Sequence, residues 1–398
     1  MPIPFNIRLG PSAPSQEVRH LVDMDGGAPR IEETGTFESV SAGFRLRDKA
    51  LAYTAMRGEW HLQIEWRATG ETLFRGLVRT PTREVVATEH GLDIAADDMA
   101  VLMDRCIITK RGLERPAGEG VKARIAWLFG EMTHDNGSVF GGTRVAQPLL
   151  AAGFNHTTHV AALSTNLPKQ RFPANLTLRQ ALERILGAAS DSANYYVEWP
   201  FLHVFDDANP ESGRTAPYNV RVAHSLTSAQ VAPEEMLVDW DTSRLINGYY
   251  IRGKNAAGSG FFTDQDLLAG PWSVNLFGPR FAYLDGPDSD TTAKAQRLAR
   301  AALRDTRNPI PRIAFTLTGE AKCVNGSNRW KGGQLLYINS SEHGLAGTGT
   351  DAGPWAGAIP LQPFRVARVT TELLSGDGER RVTIEAGGRR RNLYQGVP

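Results

Sequence analysis

The sequence predicts an α+β, β-rich fold, with two β-rich segments of antiparallel strands flanking an α+β insert. Three observations carry this. Near the start, Val40, Ala42, Phe44 and Leu46 alternate with Ser41, Gly43, Arg45 and Arg47, and Ile313, Phe315 and Leu317 repeat the period-two pattern far downstream. The chain carries 40 glycines and 23 prolines in 398 residues, a composition that favours strands and turns over long helices. In the middle the period changes to that of amphipathic helices.

The first segment, 1–110, is read as β-rich. Trp60, Leu62, Ile64 and Trp66 alternate with His61, Gln63 and Glu65, and further strands are expected at 73–79 and 83–88, the first with Gly76 as a bend or bulge. Gly91–Asp98 then leads into a short helix, Met99–Arg105. Asp97 and Asp98 sit where a helix N-terminus favours acid, which accounts for this acid pair without a metal or an acid/base role.

The insert, 111–206, opens with a helix marked by Val121, Ile125, Leu128, Phe129 and Met132. Residues 134–173 read as loop, punctuated by Asn136-Gly137 and Gly141-Gly142. His156 and His159 form H-x-x-H in this loop, but no third or fourth ligand stands at a suitable spacing, so no metal or cofactor is expected. Thr177 and Gln180 make a T-x-x-Q capping box ahead of a helix whose apolar face is Leu178, Ala181, Leu182, Ile185, Leu186 and Ala189. Strand-like runs at 195–199 and 202–205, joined at Pro200, then read as a hairpin.

The last segment, 207–398, returns to strands at 217–223, 237–241 and 247–253, with a Gly-rich turn at 256–260. An inserted loop and helix segment, about 261–307, follows: a loop over 270–289, then a helix Thr291–Arg307 bearing Ala295, Leu298, Ala302 and Leu303 on one face. Asp285, Asp288 and Asp290 precede this helix and do not fit a calcium-loop pattern. Strands are expected at 313–317 and 335–338, a Gly/Ala-rich loop at 340–360, and strands 364–374 and 380–386 joined at Ser375-Gly376-Asp377-Gly378, a hairpin signal. Arg389, Arg390 and Arg391 form a short basic tail.

Lys plus Arg is 44 and Asp plus Glu is 43, so the net charge is +1. A dedicated nucleic-acid binder carries a strong basic excess, and this chain does not. Two cysteines, Cys106 and Cys323, make no disulfide framework. The start lacks the basic and apolar regions of a signal peptide, and no apolar run approaches the roughly 20 residues of a membrane span. A chain made in a cytoplasm, soluble or assembled there, is expected. There is no G-x-S-x-G elbow, P-loop or G-x-G-x-x-G in a strand-to-helix context. With no catalytic, cofactor-binding or metal-binding residues recognisable, the chain is read as structural or binding rather than as an enzyme. The alternative is a carbohydrate-binding or carbohydrate-cleaving β-protein using Trp60, Trp66, Trp199, Trp272 or Trp355 as platforms.

Several stretches resemble the tail hub family of long-tailed bacteriophages, the baseplate or tail-tip hubs related to the base of type VI spike proteins. They are Leu73–Val78; Leu92–Asp98 with Leu102–Arg105; Thr177–Ile185 with Tyr195–Phe205; and Gly332–Leu336 with Phe364–Val369, in that order along most of the chain. The resemblance implies a virion protein at the tail tip, a homotrimer in which the two β-rich segments of each chain are tail-tube-like antiparallel β-barrel or sandwich domains that convert a six-fold ring to a three-fold tip. It implies as partners a distal tail protein or tail tube ring, the tape measure protein, and tip fibre or receptor-binding proteins. DNA would pass through the lumen without sequence-specific binding.

Overall fold

In the computed structural model, the structure describes residues 3–387 apart from 12, 26, 35–39, 48–58, 87–88, 136–141, 161–162, 164–165, 190–192, 207–215, 222–227, 229, 242–244, 268–273, 275–277, 287–288, 307–309, 325–327, 341–363 and 375–378. The expected loop over 340–360 and turn over 375–378, the Arg389–Arg391 tail, Trp272, Trp355 and Asp288 therefore lie outside the described residues.

The fold is α+β and β-rich. Its frame is one antiparallel sheet shared by the two ends of the chain. The strands follow one another as Glu235–Asp241, Ile310–Thr318, Arg380–Gly387, Phe364–Leu373, Arg30–Thr34, Ser41–Arg47, Glu89–Asp98, Glu71–Val78, His61–Trp66, Phe5–Gly10 and Gln16–Glu17. Among the described residues this ladder is open at both ends rather than closed into a barrel.

The join between its halves is the pairing of Phe364–Leu373 with Arg30–Thr34, in which Thr370 faces Glu32 and Thr371 faces Ile31. Leu373, fully buried, packs in the core of the first half with Phe5, Ile7, Leu46 and Ile64. A second core, containing Ile313, Phe315, Val366 and Ile384, lies under the other half. The expected strands thus bury the alternating residues that predicted them.

Gly76 is not a bulge. The irregularity falls at Leu73, where Thr72 and Phe74 pair with Glu65 and Ile64. A Cβ on Gly76 would stand 2.0 Å from the Asp97 carbonyl oxygen, so this glycine serves a close backbone approach.

The insert has its own core, from Met103 to Val204. Helices Val121–Gly130 and Leu178–Ala189 pack there against a three-stranded sheet. The capping box forms as read: the Thr177 N–H donates to Gln180 Oε1 at 3.0 Å and the Gln180 N–H to Thr177 Oγ1 at 3.2 Å. Ala193–Glu198 and Phe201–Asp206 form the hairpin, with a cis Trp199–Pro200 bond in its turn.

The loop expected over 134–173 is corrected. It contains a helix Gln147–Ala151, a strand Asn155–Val160 lying parallel to Phe201–Asp206, and a strand Gln170–Phe172. Arg124, fully buried, holds this region together: it donates to the Pro116 and Pro168 carbonyls at 2.8 and 3.1 Å and pairs with Glu119 at 3.2 Å.

A fourth, small core joins Gly248–Gly253, Gly260–Thr263 and Phe281–Gly286 to helix Thr292–Thr306. The expected loop over 270–289 therefore contains a strand, paired parallel to Gly248–Gly253.

Candidate functional site

Three parts of the chain meet at a cleft of about 570 Å³. It is lined by Glu33, Glu71 and Asp98 of the first β segment, by Glu198 and Trp199 of the insert, and by Arg329 and Lys331 of the last segment. The segment Arg329–Gln334 acts as a keystone. Arg329 pairs with Glu33 at 3.1 Å and donates to the Leu73 carbonyl at 3.1 Å. Lys331, buried, pairs with Glu198 of the insert hairpin. The keystone is braced by Gln334, whose amide oxygen accepts from the Lys331 N–H and whose amide nitrogen donates to the Arg329 carbonyl, both at 2.8 Å. Arg365 donates to the Gly333 carbonyl at 2.7 Å and lies 4.5 Å from the centre of the Phe205 ring of the insert.

Glu71 lies between Arg329 and Arg380, 3.7 Å from each. Removing one partner of such a desolvated pair leaves a buried charge uncompensated. The Glu71 pairs join the first and last β segments, and Lys331–Glu198 joins the last segment to the insert.

Asp98 is the unusual titrating group. Burial pushes its carboxyl up to about 7. Its side chain caps the turn that follows, accepting from the Ala100 N–H at 3.1 Å. Asp97 does not share that role: it faces outward on its strand and pairs with Arg79. The capping explanation thus holds for one aspartate of the pair.

The other weighed residues separate. His159 stacks on His203 at 4.4 Å, and His203 on Tyr196 at 4.6 Å. His156 lies instead against Phe129 and Phe154, where burial lowers its pKa. The two histidines of the H-x-x-H are thus placed in different stacks. Among the described residues no three His, Cys, Asp or Glu side chains gather as a metal site. Cys106 and Cys323 are both buried, the Cys323 thiol against the Leu317 and Arg380 carbonyls, and burial pushes the Cys106 thiol up to about 11. Asp290 pairs with Lys294 at 2.8 Å. Trp66 is buried beneath Arg380, and Trp199 stacks on Phe154 at 5.6 Å. Trp66 therefore presents no exposed platform, whereas Trp199 is half-buried and lines the cleft.

The sequence reading missed an aromatic surface on the small three-stranded sheet. Of the seven exposed large hydrophobic side chains among the described residues, four stand here: Tyr250, Phe261, Phe281 and Tyr283. The others, Ile107, Leu237 and Tyr337, are on other elements, so the clustering is specific to this face.

No protein-family model matches the chain, and no curated protein matches it by sequence. Solved structures do match. A tail protein from Neisseria meningitidis shares 15% identity at a TM-score of 0.60, covering 96% of each chain. The 43 kDa tail protein of prophage MuSo2 from Shewanella oneidensis shares 10% at a TM-score of 0.64, covering 96% of this chain and 97% of that one. A prophage tail protein from Listeria monocytogenes shares 14% at a TM-score of 0.53, covering 97% and 95%. At these identities the likeness establishes the fold: the chain has the fold of phage tail proteins over nearly its whole length. The resemblance read from the sequence holds at that level. No helix among the described residues is long and apolar enough to cross a membrane.

Proposed function

We propose that this chain is a structural protein of a phage-type tail, acting as a homotrimeric tail-tip or baseplate hub and without catalytic activity. The observation that supports it is the agreement in fold with tail proteins over nearly the whole length of the chain. Fold alone does not assign function, and the chain's own features add to it. Two β segments share one sheet and are tied by the pairs of Arg329 with Glu33 and Glu71, while Lys331 pairs with Glu198 of the insert. The proposed division is 1–110 and 207–398 as tube-like domains, with 111–206 as the insert; three cores lie largely along it, although Met103, Cys106 and Ile108 pack in the insert core and Leu373 in that of the first segment. The fourth core includes Gly248–Gly253, so the inserted segment of the last domain takes in more than 261–307.

In this reading three copies form a ring that joins a distal tail protein or tube ring to the tip, alongside the tape measure protein and tip fibres or receptor-binding proteins. DNA passes through the lumen without sequence-specific contacts, in keeping with the net charge of +1. The place of action is the virion, at the tail tip.

Imaging of assembled tails tests this. Three copies in one ring at the tip support the hub. Six copies per ring, or a position away from the tip, overturn it. For the purified chain, a mass near three times 43.5 kDa is the expected result.

A further inference from the structure

The sheet formed by Gly248–Gly253, Gly260–Thr263 and Phe281–Gly286 has two apolar faces, and the described residues cover one of them. Tyr249, Ile251 and Phe262 pack against Ala295, Ala299 and Leu303 of helix Thr292–Thr306. On the opposite face Tyr250 is paired in register with Phe261 on one side and Tyr283 on the other. Tyr250 and Phe261 are 44% and 45% exposed, and Phe281 and Tyr283 each 52%.

This face is built rather than left over. A Cβ on Gly248 would stand 2.6 Å from the Phe281 ring and 3.2 Å from the Phe261 ring. The glycine therefore lets both rings close over the central strand, where they meet edge to face at 4.5 Å. Tyr250 and Tyr283 stack at 6.0 Å beside them. The charges on the face are satisfied within it: Arg252 donates to the Tyr283 hydroxyl at 3.3 Å, and that hydroxyl donates to Asp285 at 3.1 Å.

We propose that this aromatic face is a contact between neighbouring copies of the chain, an inference that rests on the hub reading. Area sets the size of the occupant. An aromatic side chain carries roughly 200 Å², so four half-exposed rings leave about 400 Å² of apolar surface. That is within the range of about 300–600 Å² of the largest apolar patch on an ordinary monomer, a patch that is often functional. It also approaches the apolar share, about 450 Å², of one side of a standard protein interface. Charge points to a second copy. The face carries one cation and one anion already bonded through Tyr283, so nothing on it selects a charged partner. A chain of net charge +1 has little self-repulsion to oppose association. A three-fold ring requires one such heterologous contact per copy.

The test uses the full chain. Sedimentation velocity should show concentration-dependent trimers for the natural sequence. Tyr250→Ser with Phe281→Ser should raise the dissociation constant at least about tenfold, as loss of aromatic hot spots does, with an unchanged circular dichroism spectrum. A photoreactive benzoylphenylalanine in place of Tyr283 should give covalent dimers, which keeps the test decisive if the double variant misfolds. If the folded double variant associates as the natural chain does, or the crosslinks stay within one chain of a trimer, the face is not the contact and the hub reading survives. A natural chain that neither associates nor crosslinks at the highest attainable concentration overturns both.

Discussion

The Arg380 guanidinium lies 4.5 Å from the centre of the Trp66 ring, tying together strands from opposite ends of the chain. Both residues are almost fully buried, and Arg380 also stands 3.7 Å from Glu71. One cation thereby serves an aromatic face and a buried carboxylate at the seam of the two halves.

Arg380→Met should be costly for that reason. It leaves Glu71 to Arg329 alone, and breaking a buried pair on one side costs about 3–5 kcal/mol. The double variant Arg380→Met with Glu71→Gln should lose less than the sum of the two single changes, because neither charge is then stranded. Urea denaturation of the four proteins gives the coupling; strict additivity would show the seam to be uncoupled.

Leu182→Ala should cost about 2–5 kcal/mol, since its side chain is fully buried in the insert core. Thr177→Ala removes only the cap and should cost about 0.5–2 kcal/mol. Chemical denaturation in which both changes cost the same would contradict the assigned positions.

Gly76→Ala adds a methyl group where the Asp97 carbonyl oxygen stands 2.0 Å away and the Phe74 ring 2.6 Å. The backbone at the Gly76–Asp98 pairing must then move. A loss of about 1–3 kcal/mol or more is expected, read as a lower thermal midpoint. An unchanged midpoint would mean that the strands separate freely here.

Asp98 links stability to pH. Its carboxyl is raised from 3.8 to about 7 by burial, so the folded chain holds this proton more tightly than the unfolded one. The stabilisation from that proton is complete below about pH 4 and is lost as pH rises to about 7. Asp98→Asn keeps an acceptor for the Ala100 N–H and removes the titration. Between pH 4 and 7 the variant should gain on the natural protein, on the order of 4 kcal/mol at most for a shift of this size. Denaturation at several pH values, taken as the difference between the two proteins, gives the slope; parallel pH profiles would contradict the buried protonated carboxyl.

What the sequence made legible was local. The helix at 178–189 is announced by the Thr177 and Gln180 side chains beside it and by an apolar face within twelve residues. The hairpin at 193–206 pairs residues close along the chain. Arg30–Thr34 could not be read so: it offers a single apolar residue, Ile31, and becomes a strand because Thr34–Arg30 pair with Arg368–Glu372. Phe281–Gly286 hid for the opposite reason. Ala282 and Leu284 face the helix while Phe281 and Tyr283 face outward, so apolar residues occupy both faces and alternation vanishes. Asn155–Val160 is polar up to its last residue, Val160, and owes its place to the parallel strand Phe201–Asp206. The keystone ion pairs are equally remote, since nothing near Arg329 in the sequence foretells Glu33 or Glu71. Phe5–Gly10 did carry its signal, in Phe5, Ile7 and Leu9.

The last prediction concerns 342–357, which the hub reading assigns, with 134–173, to contacts with partner rings or the tip. From the sequence, a Gly/Ala-rich stretch as long as 340–360 is uncommon as a simple connector. The flanks of 342–357 are anchored independently of it. Ile338 and Asn339 pair with Val220 and Arg221, Ser340 is fully buried, and Leu336 stands opposite Phe364 in a ladder. Residues 337–340 carry the chain about 13 Å from that ladder, at roughly 3.3 Å per extended residue. After the deletion, residues 341 and 358–363 still span up to about 23 Å at the same rise, enough to return to Phe364. Removal of 342–357 should therefore leave the thermal midpoint and the trimer mass unchanged while incorporation into tails falls. Tails that assemble normally without the segment would remove its contact role, and loss of the trimer would move it from the partner interface into the ring itself.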